Sequence, residues 1–357
     1  MDNLSDRRGL VDIIVPIRNA SSFLDSFFGS LEKQTTQNFN VFVSYGTSDD
    51  GTLNWLNEYK KIAKFNLIIE DLKDMGVGEA KNYWLDSDKL KAPYIVIIDV
   101  DDYLEPTFIE KLLNTEESTK VDLVQCGFRR FNADNGKTIS FDMVHNKEEL
   151  TGDIFKDPGL VYTHTATWNK LYKKELIGSD IRFGNGKKFE DLVFVLEYLS
   201  RCHTIKYVNE PLYNYRVSKL SRSSMNDVEE VNSSNHDVQE ELKSLKEFYL
   251  KNNKEAIDNG FLSAIVFMRY GIGFTTRMAL SGHAKWGRCA KDSKRFLDDN
   301  FPLWRTTPFF KGKNARKFSK KTIFVRWCRH LYKMNMFPLF VLCYSLFTSI
   351  TGKDIKP

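Results

Sequence analysis

The feature that most constrains this chain is the run Tyr94–Ile98, followed at once by Asp99-Val100-Asp101-Asp102. A short unbroken apolar run reads as a strand covered on both faces. Three carboxylates within four positions then close it. In an open α/β sheet, ligands bind outside the carboxyl ends of the strands. The acidic cluster falls at such an end. Clustered carboxylates repel one another unless a cation joins them, and Mg²⁺ is held by one or two carboxylates together with substrate phosphates. Asp-x-Asp at this place therefore points to a metal–diphosphate site. The other reading is a plain strand-end turn, for which Asp is a good former.

The flanking sequence repeats the alternation that such a sheet needs. Val11–Val15, Asn40–Ser44, Leu67–Ile69 and Val121–Cys126 are also strand-like. Between them lie helical patterns. Ser21 or Ser22 can cap the first, which carries Phe23, Leu24, Phe27, Phe28 and Leu31. Thr52–Ala63, Val77–Leu85 and Pro106–Leu113 are the next three. This order predicts an α/β fold with a mostly parallel, doubly wound, Rossmann-like sheet. Past Phe128 the alternation fades, and 129–165 reads as loop and short strand. Phe189–Cys202 reads as an amphipathic helix and Thr204–Val208 as a strand. Ser218–Ser224 is a Ser-rich basic loop, and from Asp227 the pattern is helical. A chain of 357 residues has room for two domains. The boundary is expected near 225, giving 1–225 and a helical 226–357.

The five cysteines are dispersed, with no Cys-x-x-Cys pair, so neither a disulfide framework nor a zinc site is expected. Met1–Gly9 has no apolar core of the kind a secretory signal carries, and a cytoplasmic location is the expectation. Charge is uneven. Lys311–Lys333 holds nine Lys or Arg and no Asp or Glu, which points to an anionic partner for this region.

Eight segments, in order, carry a resemblance. They are Ile14-Val-Pro-Ile-Arg-Asn19, Leu31-Glu-Lys-Gln-Thr35, Ser48-Asp-Asp-Gly-Thr52, Gly76-Val-Gly-Glu-Ala-Lys-Asn82, Asp99-Val-Asp-Asp102, Trp168-Asn-Lys-Leu-Tyr172, Phe189-Glu-Asp191 and Tyr213-Asn-Tyr-Arg216. Over its first 220 or so residues the chain resembles the family 2 glycosyltransferases of bacterial surface and exopolysaccharide synthesis, which have the GT-A fold. Each segment alone is a weak motif; their order and spacing together are specific.

The resemblance implies roles residue by residue. The turn Pro16 to Asn19, Arg18 included, would lie against the nucleotide. Asp99 would contact the ribose and help hold the metal, and Asp101 would coordinate Mn²⁺ or Mg²⁺ between the donor phosphates. Asp102 would orient the turn. Asp191 would be the catalytic base of an inverting, single-displacement transfer, with capping of its helix as the other reading. Glu190 would bind acceptor or sugar hydroxyls. Lys81 stands where relatives commonly have Arg and would reach the diphosphate, as would Arg216 and Lys219. Trp168 and Asn169 would wall the acceptor side, although a large aromatic also belongs in a core. One departure stands out: Tyr45-Gly46 replaces an acidic or Asn-Asp pair that usually meets the base. Tyr45 can stack on a base or cap the core.

For the C-terminal part, Phe318–Tyr332 can place Phe324, Trp327, Cys328 and Leu331 on one helix face, flanked by Lys320, Lys321, Arg326, Arg329 and Lys333. That pattern suits an anionic membrane surface, here the inner face of the cell membrane. Met334–Thr351 is uncharged but interrupted by Pro338, and reads as an interfacial or packed helix rather than a span. A packed helical subdomain at a homo-oligomer interface is the other reading. No nucleic-acid module accompanies the charge. The expected activity is transfer of a hexosyl or N-acetylhexosaminyl group from a nucleotide sugar, UDP-linked, to a saccharide or lipid-linked saccharide. The rival from another class is a catalytically silent sugar-binding or partner subunit.

Overall fold

The apolar runs of the N-terminal region do form the strands of a sheet, and the polar loops gather at their carboxyl ends. The computed structural model describes residues 9–73, 75–144, 151–184, 190–218, 228–280, 286–311 and 319–351. The strands are β1 (Val11–Ile17), β2 (Phe39–Tyr45), β3 (Asn66–Asp71), β4 (Tyr94–Ile97), β5 (Tyr103–Leu104), β6 (Leu123–Asn132), β7 (Thr138–Asp142), β8 (Thr151–Asp153), β9 (Lys170–Lys173) and β10 (Thr204–Val217). Helices α1 (Ser21–Glu32), α2 (Thr52–Lys60), α3 (Val77–Asp86), α4 (Phe108–Thr119), α5 (Lys174–Ile177) and α6 (Glu190–Arg201) intervene.

The strand order is β3-β2-β1-β4-β9-β6-β10-β5, with β7 on β6 and β8 on β10. The β3-β2-β1-β4 half is parallel throughout. Each crossover is a helix, as parallel connections require. β1 and β2 are buried almost end to end because both faces are covered. Pro16 lies beyond the last β1–β4 pair, Ile14↔Ile97.

The other half departs from a simple winding. β9 enters between β4 and β6 and runs antiparallel to both. β6 and β10 then pair in parallel over nearly their full lengths, with register shifts around Pro211. Val121–Cys126 therefore does not continue the parallel series beside β4. β10 also runs nine residues past the expected Thr204–Val208. That extension carries Tyr213 and Asn214 alongside β5, the two residues that directly follow the acidic cluster.

By internal contacts the chain divides into two units: residues 1–152 with 164–219, and 153–163 with 220–357. The second is helical: α7 (Val228–Asn252), α8 (Lys254–Asp258), α9 (Phe261–Val266), a wide π-helical stretch at Phe267–Phe274, α10 (Thr275–Leu280), α11 (Trp286–Asn300), α12 (Ser319–Lys333) and α13 (Phe337–Thr351). Its core is aromatic. Phe267 stacks on Trp304 at 5.0 Å, and Tyr332 on Phe337 at 4.1 Å. The buried face of α12 is Val325, Cys328, Leu331 and Tyr332. Trp327, expected on that face, is 47% exposed, and Ile323 one turn earlier is exposed as well. Among the described residues no helix is long and apolar enough to cross a membrane.

Candidate active site

At the carboxyl ends of the strands, the loops after β1 and β2 are knitted together. After β1, Asn19 takes a left-handed conformation (φ 47°) that Asn tolerates. Its backbone N–H donates to Ser48 Oγ at 2.9 Å, and its side chain accepts from the Asp49 N–H at 3.2 Å. Asp50 accepts from the Ser21 N–H at 2.9 Å and from the Thr52 hydroxyl at 2.6 Å. Helix α1 is thus capped by a carboxylate from the loop after β2, not by Ser21 or Ser22, which lie within the helix. Burial pushes the Asp50 carboxyl up, but these hydrogen bonds outweigh it and bring it to about 2. Gly51 enters α2 at φ 88°, a conformation that favours glycine. Arg18 and Asn19 are exposed on this loop pair, and Pro16 is partly so.

Tyr45 is 3% exposed, and its hydroxyl accepts from the Ser48 N–H at 3.1 Å. It fills the core under the loop, the second of its two sequence readings. Trp168 is likewise interior, 4% exposed. It stacks on Tyr213 at 4.3 Å and on Tyr215 at 5.3 Å, with Phe128 edge-on at 4.8 Å. Asn169 is buried and donates to the Cys126 carbonyl at 2.7 Å, pinning β9's approach to β6. These three residues build the floor of the site from below.

The acidic cluster is compact. Asp99, Asp101 and Asp102 can each bring a carboxylate oxygen within 4.8 Å of the others. Asp102 is buried, and both its oxygens are taken: Tyr213 Oη donates to one at 2.7 Å and the Arg216 N–H to the other at 2.7 Å. Burial, then the neighbouring Asp101 and Asp99, push its carboxyl well above the usual range. Asp102 therefore ties the turn to β10. Asp99, partly exposed, and Asp101, exposed, are the pair turned toward solvent. An all-oxygen set of two carboxylates with room for waters and phosphates fits Mg²⁺ or Mn²⁺. Arg216 donates from Nε to the Asp101 carbonyl at 2.6 Å, and its guanidinium lies over the rings of Phe23 (5.2 Å) and Phe131 (5.0 Å). Its reach is thus partly spent on holding the acidic turn. Lys219 lies outside the described residues.

Helix α3 forms the opposite wall. Glu79 reaches back to accept from the Gly76 N–H at 2.9 Å. Gly78 packs against the segment before α6: a Cβ there would come to 2.6 Å of the Gly184 carbonyl oxygen. Asn82 clamps the same segment twice, donating to the Phe183 carbonyl and accepting from its N–H, both at 2.8 Å. Between these contacts Lys81 is buried, its side chain 2% exposed. Its Nζ meets Asp191 Oδ1 at 2.8 Å and sits 4.6 Å above the Phe183 ring. Burial pulls the Lys81 ammonium down, but the charges of Asp191, Asp99 and Glu190 outweigh it and raise the group above its ordinary value. Asp191 and Glu190 open α6, where the helix dipole favours carboxylates. Asp191 remains 30% exposed. Lys81 thus links the acidic turn of β4 to the acid pair of α6.

The profile of the family described as glycosyl transferase family 2 matches residues 12–178. EpsH of Bacillus subtilis (strain 168), named as a proposed glycosyltransferase, is 27% identical over 217 residues, which are 58% of this chain and 60% of EpsH. The chain thus spans about three-fifths of that relative's length. TarS 1-349 of S. aureus, crystallised with UDP-GlcNAc, superposes with a TM-score of 0.67 at 17% identity, over 97% of this chain and 93% of that one. The mannosyltransferase PcManGT of Pyrobaculum calidifontis, in complex with GDP-Man and Mn²⁺, gives 0.50 at 12% identity, over 97% and 88%. At such identities these two structures speak for the fold.

Proposed function

We propose that this chain, whose residues 12–178 match the family described as glycosyl transferase family 2 and whose fold is GT-A, is an inverting transferase. It moves one sugar from a nucleotide diphosphate donor, UDP-linked, to a hydroxyl of a saccharide. The observation that carries this reading is the pairing of two acidic groups on one edge of the sheet. Asp99 and Asp101 end β4, Asp191 opens α6, and the buried Lys81 feels both sides.

The donor diphosphate lies at the β4 turn, with its ribose toward Asp99 and its base toward the Pro16–Asn19 loop. Asp99 and Asp101 would hold Mn²⁺ or Mg²⁺ there, and such an ion, when bound, would supply positive charge for the departing diphosphate. Asp102, Tyr213 and Arg216 keep those carboxylates in place. With Tyr45 in the core, base recognition falls to backbone groups and exposed side chains of the two knitted loops. Asp191 is the general base. As the acceptor oxygen attacks the anomeric carbon, its proton passes to Asp191 Oδ2. The bond from that carbon to the diphosphate breaks, and its electron pair leaves with the nucleotide. One displacement inverts the anomeric centre. Glu190 meets the incoming saccharide.

The region 226–357 is the chain's membrane-facing part, on the inner face of the cell membrane, where a lipid-linked acceptor of surface polysaccharide synthesis is presented. In its support, Ile323 and Trp327 are exposed beside Arg326 and Lys333. The Lys333 ammonium is pulled down by burial and then by the nearby Arg329, Arg305 and Lys311. Titration calorimetry of UDP with and without Mn²⁺ tests the donor site. Micromolar binding that EDTA abolishes agrees with the reading. Metal-independent binding, or no binding of any nucleoside diphosphate, contradicts it.

A further inference from the structure

We infer that Lys81 is a positioning residue for the base Asp191, and that its work is done in the chemical step rather than in donor binding. The inference rests on the assignment of Asp191 as base. The pattern Gly76-Val-Gly-Glu-Ala-Lys-Asn82 places a lysine on a helix at the ligand edge, which suggests a phosphate contact. The geometry assigns it elsewhere. Lys81 Nζ lies 2.8 Å from Asp191 Oδ1, and its side chain is 2% exposed. The Phe183 ring, 4.6 Å away, covers the ammonium on another side. A cation so enclosed has little surface left for a diphosphate, whereas it fixes one oxygen of the base and leaves the other to face the acceptor.

The neighbouring contacts serve the same end. Gly78 admits the Gly184 carbonyl, and Asn82 grips Phe183 by two hydrogen bonds of 2.8 Å. Helix α3 is therefore a cradle for Phe183 and Gly184, upstream of Asp191 in the chain. The groups facing Lys81 are Asp191 and Glu190 from α6 and Asp99 from the β4 turn, and the buried Tyr172 of β9 also lies near Asp191. All the charged groups among these are carboxylates. Lys81 also compensates their mutual repulsion, so that Asp191 and the acidic turn of β4 can stand close enough to act on one donor. A well-oriented base contributes about 10²–10⁴-fold to rate, and that factor is what the loss of Lys81 puts at risk.

The experiment compares the wild type with Lys81→Met, Lys81→Arg and Asp191→Asn. It reads Kd for UDP with Mn²⁺ by calorimetry, and kcat and KM for release of UDP from the nucleotide sugar that the wild type turns over. The expected result is Kd and KM within about threefold of wild type for Lys81→Met, with kcat down about 10²-fold or more, toward that of Asp191→Asn. Lys81→Arg, which keeps the cation, recovers at least about tenfold of that loss. A Lys81→Met protein whose Kd and KM rise about tenfold while kcat stays near wild type makes Lys81 a donor contact and overturns the inference. If the Met variant does not fold, Lys81→Gln, which can still donate to Asp191, carries the same comparison of kcat with KM. A wild type that turns over no donor removes the transferase reading, and this inference with it. A live wild type with a KM-only Lys81 variant removes this inference alone.

Discussion

Asp191→Asn deletes more than the proposed base. It also strips the partner from a lysine whose side chain is 2% exposed, 2.8 Å away. At that separation, with an effective dielectric of about 20, the Coulomb energy of the pair is about 6 kcal/mol. Breaking a buried pair from one side costs about 3–5 kcal/mol. Two features reduce this here: Asp191 is 30% exposed, and Asp99 and Glu190 remain near the orphaned cation. The expected loss is about 2–4 kcal/mol, or roughly 4–16 °C in Tm for a unit of this size. Lys81→Met leaves an apolar stem on Phe183 and an aspartate that water can reach, so it loses less, about 1–2 kcal/mol. The double variant should be no less stable than Lys81→Met alone, giving a coupling of about 2–4 kcal/mol, the whole loss of Asp191→Asn.

The sign of the pH dependence follows from Lys81. Its folded-state value is raised above the ordinary 10.5, so the stability from the pair is fully present below 10.5 and is lost only as pH rises through the higher folded value. The gap between wild type and Asp191→Asn should therefore stay constant from about pH 6 to 9. Thermal unfolding of the four proteins at several pH values checks this. An Asp191→Asn variant as stable as wild type, or losses that simply add in the double variant, would refute the buried ion pair as the local organiser.

Other outcomes follow from the same geometry. Asp101→Asn should weaken UDP binding in Mn²⁺ by about tenfold or more and leave any binding in EDTA unchanged, as read by calorimetry. Gly78→Ala must displace the Gly184 carbonyl from 2.6 Å of the new Cβ. It should lose about 1–3 kcal/mol in urea unfolding, and kcat should fall with the displaced cradle. The Asp50 carboxyl sits at about 2 against an ordinary 3.8. Its stabilisation is therefore present above 3.8 and lost as pH falls through about 2. The Tm difference between wild type and Asp50→Asn should narrow over that acid range.

The N-terminal half of the sheet was legible because its signal is local. Apolar runs such as Val11–Val15 and Tyr94–Ile98 bury both faces, and each is followed by a helix with its own periodicity. The acidic turn announced itself for the same reason. β9 was not legible. Lys170–Lys173 is four residues long with a lysine at each end, and only pairing with β4 and β6 makes it a strand. The extension of β10 was hidden behind Pro211, where the register shifts rather than the strand ending. Among site residues, sequence cannot separate an aromatic that faces a sugar from one that faces a core, and Tyr45 and Trp168 proved interior. Nor can it pair Lys81 with Asp191 across 110 positions. The one hint was that a lysine followed by Asn82 on an otherwise apolar helix face is costly unless something anionic meets it.

The measurement that bears most directly on the central claim is release of nucleoside diphosphate from a panel of nucleotide sugars, with Mn²⁺, with EDTA and with Asp191→Asn. The account predicts slow turnover of one donor, dependent on the metal and lost in the variant, whose Mn²⁺-dependent UDP binding stays intact. Turnover that persists in EDTA, or that survives in Asp191→Asn, would contradict it.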